Sequence, residues 1–391
     1  MIGCRPRTHQ HISKKIHMLI HPAHTMSFDD LLAGLKAARD ERQVYERPGP
    51  DGLVLWLYSE RCVFDSQWHT ITIAARGLIL DMEQRRIAAT PFPKFFNAGE
   101  RGESAPDLPF TVTDKLDGSL IIIFHHRGRW RTATKGAFAS AQAKWAQAML
   151  DARDLTALTS GVTYLAEATY PENKVVVYYA EPSLRLLAAY RADGAEMHFD
   201  AVVEVGAATG VGHVQRREFR NIGELLTTAK ALPRSEEGYV VRFDNGLRLK
   251  IKGDEYKRIH ALIAGLTPLN IWQAMASGDD MQAIRRDLPE EFWADFDALT
   301  GILQGQVDTI ISAVTKTAKE VESLSDKEVG LAQPKLDPLA RPFIFAYRKS
   351  GGDLLNGRPR DQLFRSIRPT GNELPGYQPS SAMNRLVEEA G

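Results

Sequence analysis

The hydrophobic pattern of the chain changes at Lys252. Between residues 53 and 252, short runs of alternating apolar and polar residues are separated by turn residues, which is typical of half-buried β-strands. After Lys252, apolar residues recur at spacings of three and four, as they do along one face of a helix. The sequence therefore predicts an α+β fold: an antiparallel-sheet domain over residues 26–254, followed by an all-helical domain over residues 255–391.

Turn residues and periodicity also predict the individual elements. A first helix is capped by Ser27 and buries Leu31, Leu32 and Leu35. The long helix of the tail starts near Pro289. Shorter helices are predicted at 139–150, 254–265, 269–277 and 280–286. Strands are predicted at 53–58, 70–74, 78–81, 110–114, 120–125, 130–134, 162–169, 175–179, 184–190, 197–199, 238–243 and 247–252.

Composition favours a cytoplasmic protein with no membrane contact. The 391 residues suffice for two domains with proper cores. Lys+Arg and Asp+Glu both number 49, so the whole-chain charge carries no nucleic-acid signature, and any such surface is a local patch. Only Cys4 and Cys62 are present, which suits a reducing compartment rather than a disulfide framework. Apolar runs fall short of the roughly 20 residues that span a bilayer.

Residues 1–25 differ from the rest of the chain. They contain five of the eleven histidines and no acidic residue. The histidines have no recognised metal-ligand spacing. We therefore expect a disordered or non-native N-terminal extension rather than a metal site, with organised structure beginning at Ser27.

The segment Lys115-Leu116-Asp117-Gly118-Ser119 lies between two predicted strands and offers a candidate nucleophile. A lysine can form a covalent bond to a nucleotide when its amine is deprotonated. By itself the short motif is weak evidence for a nucleophile, because a surface hairpin with a solvated lysine can have the same sequence. Its weight depends on the motifs around it.

The last predicted strand carries two further lysines. Side chains alternate along a strand, so Lys250 and Lys252 project to one side while Leu249 and Ile251 project to the other. Strand geometry separates the two lysines by about 7 Å. Such a pair can hold a phosphate chain, although lysines on a solvated edge strand serve equally well against aggregation.

The ordered series of motifs resembles the lysine-adenylating nucleotidyltransferase superfamily of ATP-dependent ligases and capping enzymes, and most of all the bacteriophage RNA ligase 1 family, which repairs tRNA. The resemblance covers about residues 50–260. It is carried by Ala75-Arg76-Gly77, Pro93-Lys94-Phe95-Phe96-Asn97, the Lys115 segment, Thr134-Lys135-Gly136, Glu167, Pro171-Glu172-Asn173-Lys174-Val175-Val176, Glu236-Glu237-Gly238-Tyr239, Lys250-Ile251-Lys252 and Tyr256.

This resemblance implies roles for the quoted residues. Lys115 would attack ATP, with catalytic support from Asp117, Glu167, Glu237, Lys250 and Lys252. Cofactor-binding residues would be Tyr58, Arg76, Lys94, Phe96, Gly118, Lys135 and Tyr256. Metal ligands would be Glu237, Asp279 and Asp280. Salt bridges remain alternatives for Asp117 and the two glutamates, core packing for Tyr58 and Phe96, and helix capping for the Asp279–Asp280 pair.

The implied chemistry makes ATP and Mg²⁺ the cofactors, with Mn²⁺ as a possible substitute. Free lysine has a pKa of about 10.4. We expect neighbouring cations and partial burial to lower the pKa of Lys115 and so enlarge its reactive amine fraction.

The resulting hypothesis is an ATP-dependent RNA ligase that joins 5′-phosphate and 3′-hydroxyl RNA ends, including those of nicked tRNA. It would act in a bacterial cell or a phage-infected host, as a monomer, with an end-healing kinase or phosphatase as a possible partner. The helical tail, expected to dock RNA, favours this hypothesis over a DNA ligase, which would continue into a small β-barrel. A non-catalytic RNA-end-binding module is a further alternative, but binding alone requires no nucleophilic lysine.

Overall fold

The computed structural model of the chain describes residues 20–100, 105–174 and 176–380. Within these residues the chain forms two compact units. The first lies within Met1–Lys174, Tyr178–Lys230 and Glu237–Lys252, and the second within Val175–Val177, Ala231–Glu236 and Gly253–Gly391. Of the predicted extension at residues 1–25, residues 1–19 lie outside the described residues.

Among the described residues, all the strands belong to the first unit. They are β1 (Val44–Pro48), β2 (Leu53–Tyr58), β3 (Arg76–Asp81), β4 (Arg86–Ala89), β5 (Phe96–Asn97), β6 (Phe110–Lys115), β7 (Ser119–His126), β8 (Arg129–Thr134), β9 (Thr163–Thr169), β10 (Ser183–Tyr190), β11 (Arg216–Arg217), β12 (Gly238–Phe243) and β13 (Arg248–Lys252).

These strands form three sheets, with the orders β1-β2-β3-β4, β10-β9-β7-β8 and β11-β6-β12-β13-β5. Neighbouring strands are antiparallel except for the short β5, which runs parallel to β13. The predicted antiparallel character of this part of the fold is confirmed. The third sheet brings β6, β12 and β13 side by side, so that the ends of strands distant in sequence meet.

The helices are α1 (Phe28–Asp40), α2 (Glu60–Phe64), α3 (Thr70–Ala74), α4 (Ala141–Asp151), α5 (Phe199–Thr209) and α6 (Ile222–Lys230) in the first unit. The second unit contains α7 (Asp254–Ala264), α8 (Pro268–Ser277), α9 (Met281–Asp287), α10 (Trp293–Glu320), α11 (Asp326–Ala332), α12 (Ile344–Lys349) and α13 (Gly357–Ser366). The helical tail predicted after Lys252 is therefore confirmed over the described residues.

Alternation along β2 explains how the first unit builds its layers. Leu53, Leu55 and Leu57 pack into a core that also contains Ile122 of β7 and therefore lies between the first two sheets. Trp56, on the opposite face, packs with α1. The other face of the second sheet is covered by α4 and α5. The layer order is thus helix, sheet, sheet, helices.

The start of the ordered chain differs from the prediction. The cap of α1 is confirmed, because the Ser27 hydroxyl accepts a hydrogen bond from the Asp30 amide at 3.1 Å. Organised structure begins before Ser27, however. Residues Pro22–His24 form a short 3-10 helix, and His21 is 2% exposed, with its amide donating to the Gly194 carbonyl at 2.8 Å.

Three predicted strands are wrong. Residues 70–74 form α3, in which the Thr72 hydroxyl accepts from the His69 amide, so local capping overrides the β-branched composition. Residues 176–179 follow a 3-10 turn and are not a strand, and Val175 lies outside the described residues. Residue Phe199 begins α5, which His198 caps. Alternation over so few residues does not distinguish a strand from a capped helix.

The second unit has its own core along α10. Leu299, Leu303, Val307, Ile310 and Val314 are all buried, which confirms the apolar stripe predicted for the long helix. Among the described residues of the chain, none of the helices combines the length and the apolar character needed to cross a membrane.

Candidate active site

Lys115 is the last residue of β6, which lies beside β12, the central strand of the third sheet. Its register partner across the sheet is Gly238 of β12, and Gly238 pairs on its other side with Lys252 of β13. The two lysines therefore flank one position of the central strand. Strand order brings Lys115 to this position, because Lys115 is far in sequence from the β12–β13 hairpin that holds Gly238 and Lys252.

Glu237 precedes that central position and binds both lysines. The Lys115 Nζ donates to Glu237 Oε2 at 2.6 Å, and the Lys252 Nζ lies 3.1 Å from Glu237 Oε1. The Glu237 side chain is 2% exposed. Burial would raise the pKa of Glu237, but the charges of Lys115 and Lys252 outweigh it, and the pKa is lowered.

The electrostatics of Lys115 contradict the expected lowering of its pKa. Burial acts in the expected direction, but the negative charges of Glu237, Glu167 and Asp117 outweigh it, and the pKa of Lys115 is raised. The expectation was wrong because sequence spacing did not show that a buried carboxylate lies against the amine. The Lys115 side chain is therefore an ammonium at neutral pH in this arrangement.

Lys250 is the lysine whose pKa is lowered strongly. Burial is the largest cause, followed by the charges of Arg76, Lys115, Lys94 and Lys252. Several cations with unfavourable mutual repulsion are gathered here, and an anionic polyphosphate would relieve that repulsion.

The turn after Lys115 is held against β9. The Gly118 amide donates to Glu167 Oε1 at 3.2 Å, and the Ser119 hydroxyl donates to Asn173 Oδ1 at 3.1 Å. Asn173 in turn donates from Nδ2 to the Ala168 carbonyl at 2.9 Å. A Cβ atom at Gly118 would lie 2.2 Å from that carbonyl oxygen, so only glycine permits this approach.

Tyr179 is a residue that the sequence analysis missed. Its hydroxyl accepts a hydrogen bond from the Asp117 amide at 3.0 Å, and burial raises its pKa well above the ordinary value. It follows a motif that the sequence did single out, the run beginning at Pro171, but nothing in its spacing connects it with Asp117. Asp117 itself is 5% exposed.

Arg76 and Lys94 add two positive charges near Lys250. Arg76 comes from β3 of the first sheet, and Lys94 comes from the segment before β5. The Arg76 guanidinium lies over the Phe95 ring at 5.2 Å, and Lys250 Nζ lies 4.9 Å from the same ring. Among the described residues, Arg76 Nη1 is buried without a hydrogen-bond partner. A buried unpaired donor among cations fits an anionic ligand.

The Arg-Gly motif packs against the Thr-Lys-Gly motif. Gly77 has φ of +91°, and a Cβ atom there would lie 2.9 Å from the Cα of Lys135. Two motifs that lie far apart in the sequence thus adjoin in space. Tyr58 and Phe96 are also buried nearby, and both rings face Lys94. Their assignment to an adenosine pocket stays a prediction.

The remaining sequence-predicted residues belong to the second unit. Tyr256 is 2% exposed in α7, and its ring stacks on His260. The Asp280 carboxylate caps α9 by accepting from the Gln282 and Ala283 amides, each at 3.0 Å. Capping, the alternative for the acidic pair, therefore occurs at Asp280, and metal binding by Asp279 and Asp280 stays a prediction.

The antiparallel sheets, with lysines and glutamates meeting at the ends of β6, β12 and β13, agree with the nucleotidyltransferase fold that the sequence predicted. Residues 74–256 match the family model described as RNA ligase, and this segment contains nearly every predicted site residue. This segment, just under half of the chain, is similar to the RNA ligase family.

Similar proteins carry related names. A candidate bifunctional polynucleotide kinase/RNA ligase of Autographa californica nuclear polyhedrosis virus is 26% identical over 61% of this chain and 37% of its own length. An RNA ligase of Rhodothermus phage RM378 is 24% identical over 45% of this chain and 49% of its own length. The chain thus spans half or less of these two relatives. An archaeal ATP-dependent RNA ligase structure aligns with a TM-score of 0.48 and 15% identity, over 72% of this chain and 83% of its own.

Proposed function

We propose that the protein is an ATP-dependent RNA ligase that joins an RNA 5′-phosphate to an RNA 3′-hydroxyl. The observation that carries the proposal is the carboxylate of Glu237, which binds both Lys115 and Lys252 inside the segment that matches the RNA ligase family model. The buried Glu237 carboxylate thereby holds Lys115, the proposed nucleophile, close to Lys252, a proposed phosphate-binding cation.

In the first step the deprotonated Lys115 amine attacks the α-phosphorus of ATP. A nitrogen–phosphorus bond forms, the bond to the β-phosphate oxygen breaks, and pyrophosphate leaves with that electron pair. The proton on Lys115 has an acceptor in place, Glu237 Oε2 at 2.6 Å. Arg76, Lys94, Lys250 and Lys252 supply positive charge for the phosphates.

In the second step an oxygen of the RNA 5′-phosphate attacks the same phosphorus, the nitrogen–phosphorus bond breaks and Lys115 regains a proton. In the third step the RNA 3′-hydroxyl attacks the 5′-phosphorus and gives up its proton to solvent, the bond from that phosphorus to the bridging oxygen breaks, AMP leaves with this oxygen, and a phosphodiester forms. Each step is an in-line displacement at phosphorus, so one cationic surface can serve all three.

The carboxylates of Glu237 and Glu167 fit a divalent metal by their donor chemistry. Mg²⁺ prefers oxygen ligands and keeps several waters, and Mn²⁺ accepts the same ligands. Among the described residues, histidine, cysteine, aspartate and glutamate side chains form no cluster of three or more that could hold a metal. Glu237 would hold the metal ion. When bound, such an ion would neutralise part of the negative charge of the phosphates.

The natural substrate and the partners belong to the same proposal. We infer that the enzyme seals broken RNA such as nicked tRNA, in the cytoplasm, after an end-healing enzyme has prepared the ends. The viral relative bears the name of both a kinase and a ligase, and this chain covers 37% of it. The helical second unit would dock RNA: Arg358 and Arg365 on α13 are exposed cations suited to phosphate contacts.

A ligation assay with matched ends tests the proposed function. RNA and DNA oligonucleotides of the same sequence, each with a 5′-phosphate and a 3′-hydroxyl, are incubated with ATP and Mg²⁺. The proposal requires joining of RNA by the wild-type protein and none by Lys115→Ala. Preferential joining of DNA would instead favour the DNA ligase alternative, and joining of neither would favour a binding module.

A further inference from the structure

Three aromatic rings surround the Lys94 ammonium. Its Nζ lies 5.5 Å from the ring centroid of Tyr58, 5.0 Å from that of Trp68 and 5.1 Å from that of Phe96. Trp68 is the middle ring, since it makes edge contacts with Tyr58 at 5.1 Å and with Phe96 at 5.4 Å. We call these three rings the Lys94 cage.

The cage holds a cation where other cations repel it. Burial and the charge of Arg76 both lower the pKa of Lys94, which means that its ammonium is disfavoured by its surroundings. A lysine side chain is long and flexible, so a repelled ammonium is free to swing toward water. The negative faces of aromatic rings offer it a favourable position without adding a negative charge that would repel phosphate.

The backbone fixes both partners of the contact between Trp68 and Lys94. The Lys94 amide donates to the Ile73 carbonyl at 2.8 Å, and the Trp68 amide donates to the Ser66 carbonyl at 2.9 Å. The carbonyl of Gln67, next to Trp68, accepts from the Thr72 hydroxyl at 2.9 Å. The indole is therefore carried by a tightly hydrogen-bonded turn.

We propose that Trp68 is a positioning residue that closes the Lys94 cage and holds the Lys94 ammonium ready for the polyphosphate of ATP. This inference rests on the proposed ligase function, because it assigns ATP as the ligand of Lys94. It adds a residue outside the 74–256 family match and makes ATP affinity depend on an aromatic ring that itself carries no charge.

A double-mutant cycle tests the inference. The full-length wild type, Trp68→Leu, Trp68→Phe, Lys94→Met and Trp68→Leu/Lys94→Met are compared by calorimetric ATP binding and by the ATP dependence of lysine-AMP formation. We expect Trp68→Leu to weaken ATP binding and raise the ATP KM about three- to tenfold, with a smaller effect on the saturating rate. Trp68→Phe keeps a ring and retains most of the affinity.

The cycle separates positioning from packing. If Trp68 acts through Lys94, the leucine substitution costs less than about twofold once Lys94 is methionine. An equal loss in both backgrounds, or equal effects of Trp68→Leu and Trp68→Phe, would overturn the inference. Phe64→Leu is the control, because that ring is 90% exposed.

A second measurement covers the case in which Trp68→Leu does not fold. Biosynthetic replacement of tryptophan by tetrafluorotryptophan withdraws electron density from the ring face and keeps the shape. ATP affinity should fall in the wild type but not in Trp68→Phe, and equal behaviour would overturn the inference. A wild type that binds ATP without forming lysine-AMP would defeat the ligase proposal and leave both measurements valid.

Discussion

The Lys115 ammonium donates a 2.6 Å hydrogen bond to Glu237, whose side chain is 2% exposed, while Lys115 itself is 20% exposed. This contact stabilises the protonated form of the proposed nucleophile and at the same time fixes its position. The charge of Glu237 is therefore expected to set the reactivity of Lys115.

Glu237→Gln should lower the pKa of Lys115. Removing the carboxylate removes the strongest charge that raises this pKa and leaves burial, which lowers it. The protein is treated with an amine-acylating reagent across pH 7–10, without ATP or metal, and Lys115 acylation is read from peptide masses. Each unit of pKa decrease raises the amine fraction about tenfold. Exposed Lys36 in the same digest is the internal reference. Unchanged Lys115 acylation would contradict the assignment.

Lys250→Ala and Lys252→Ala should each reduce lysine-AMP formation about a hundredfold, because both remove positive charge from the phosphates. Joining of RNA that already carries a 5′-adenylate should suffer less, since it bypasses ATP. Single-turnover rates on the two substrates measure this difference, with exposed Lys36→Ala as the control. Full ATP-dependent labelling in both variants would refute the assignment of these two lysines to the phosphates of ATP.

Gly118→Ala should reduce lysine-AMP formation more than tenfold. The added Cβ would lie 2.2 Å from the Ala168 oxygen and 2.9 Å from Thr169 Cγ2, so the turn after Lys115 has to move. Labelling rate and thermal unfolding are measured together. Gly301→Ala is the matched control, since its Cβ meets nothing within 4 Å and alanine favours the helix. Normal labelling by Gly118→Ala would show that the turn tolerates the shift.

His21 should make the fold acid-sensitive. Burial, and then the charge of His24, lower its pKa to about 3. Below pH 6.5, His21 therefore binds a proton in the unfolded chain but stays neutral in the folded chain. The free energy of unfolding decreases as the pH falls from 6.5 toward 3. Between pH 7 and pH 5 the wild type should lose about 2 kcal/mol more than His21→Asn. Urea unfolding measures this, with exposed His198→Asn as control. Parallel losses in all three proteins would contradict the buried neutral His21.

Much of the fold was predictable because it depends on local periodicity. The alternation of Leu249 and Ile251 against Lys250 and Lys252 is confirmed in β13, as is the apolar stripe of α10. The strand prediction for residues 70–74 was wrong because capping at His69 favours a helix in a five-residue segment whose composition is compatible with either structure.

The site was predictable in its residue types but not in its contacts. The lysines and glutamates stand in recognisable motifs, whereas the pKa of Lys115, the Tyr179 contact and the Lys94 cage depend on which strands become neighbours. Strand order is a long-range property that no local spacing encodes.

The central claim is that Lys115 forms a covalent bond to AMP. Wild-type protein and the Lys115→Ala and Lys115→Arg variants are incubated with α-labelled ATP and Mg²⁺, and then separated by denaturing electrophoresis. We predict labelled wild-type protein, with the mass of AMP on the Lys115 peptide, and no label on either variant, since alanine lacks an amine and a guanidinium stays protonated. A wild-type level of label on either variant, or AMP on another residue, would contradict the account.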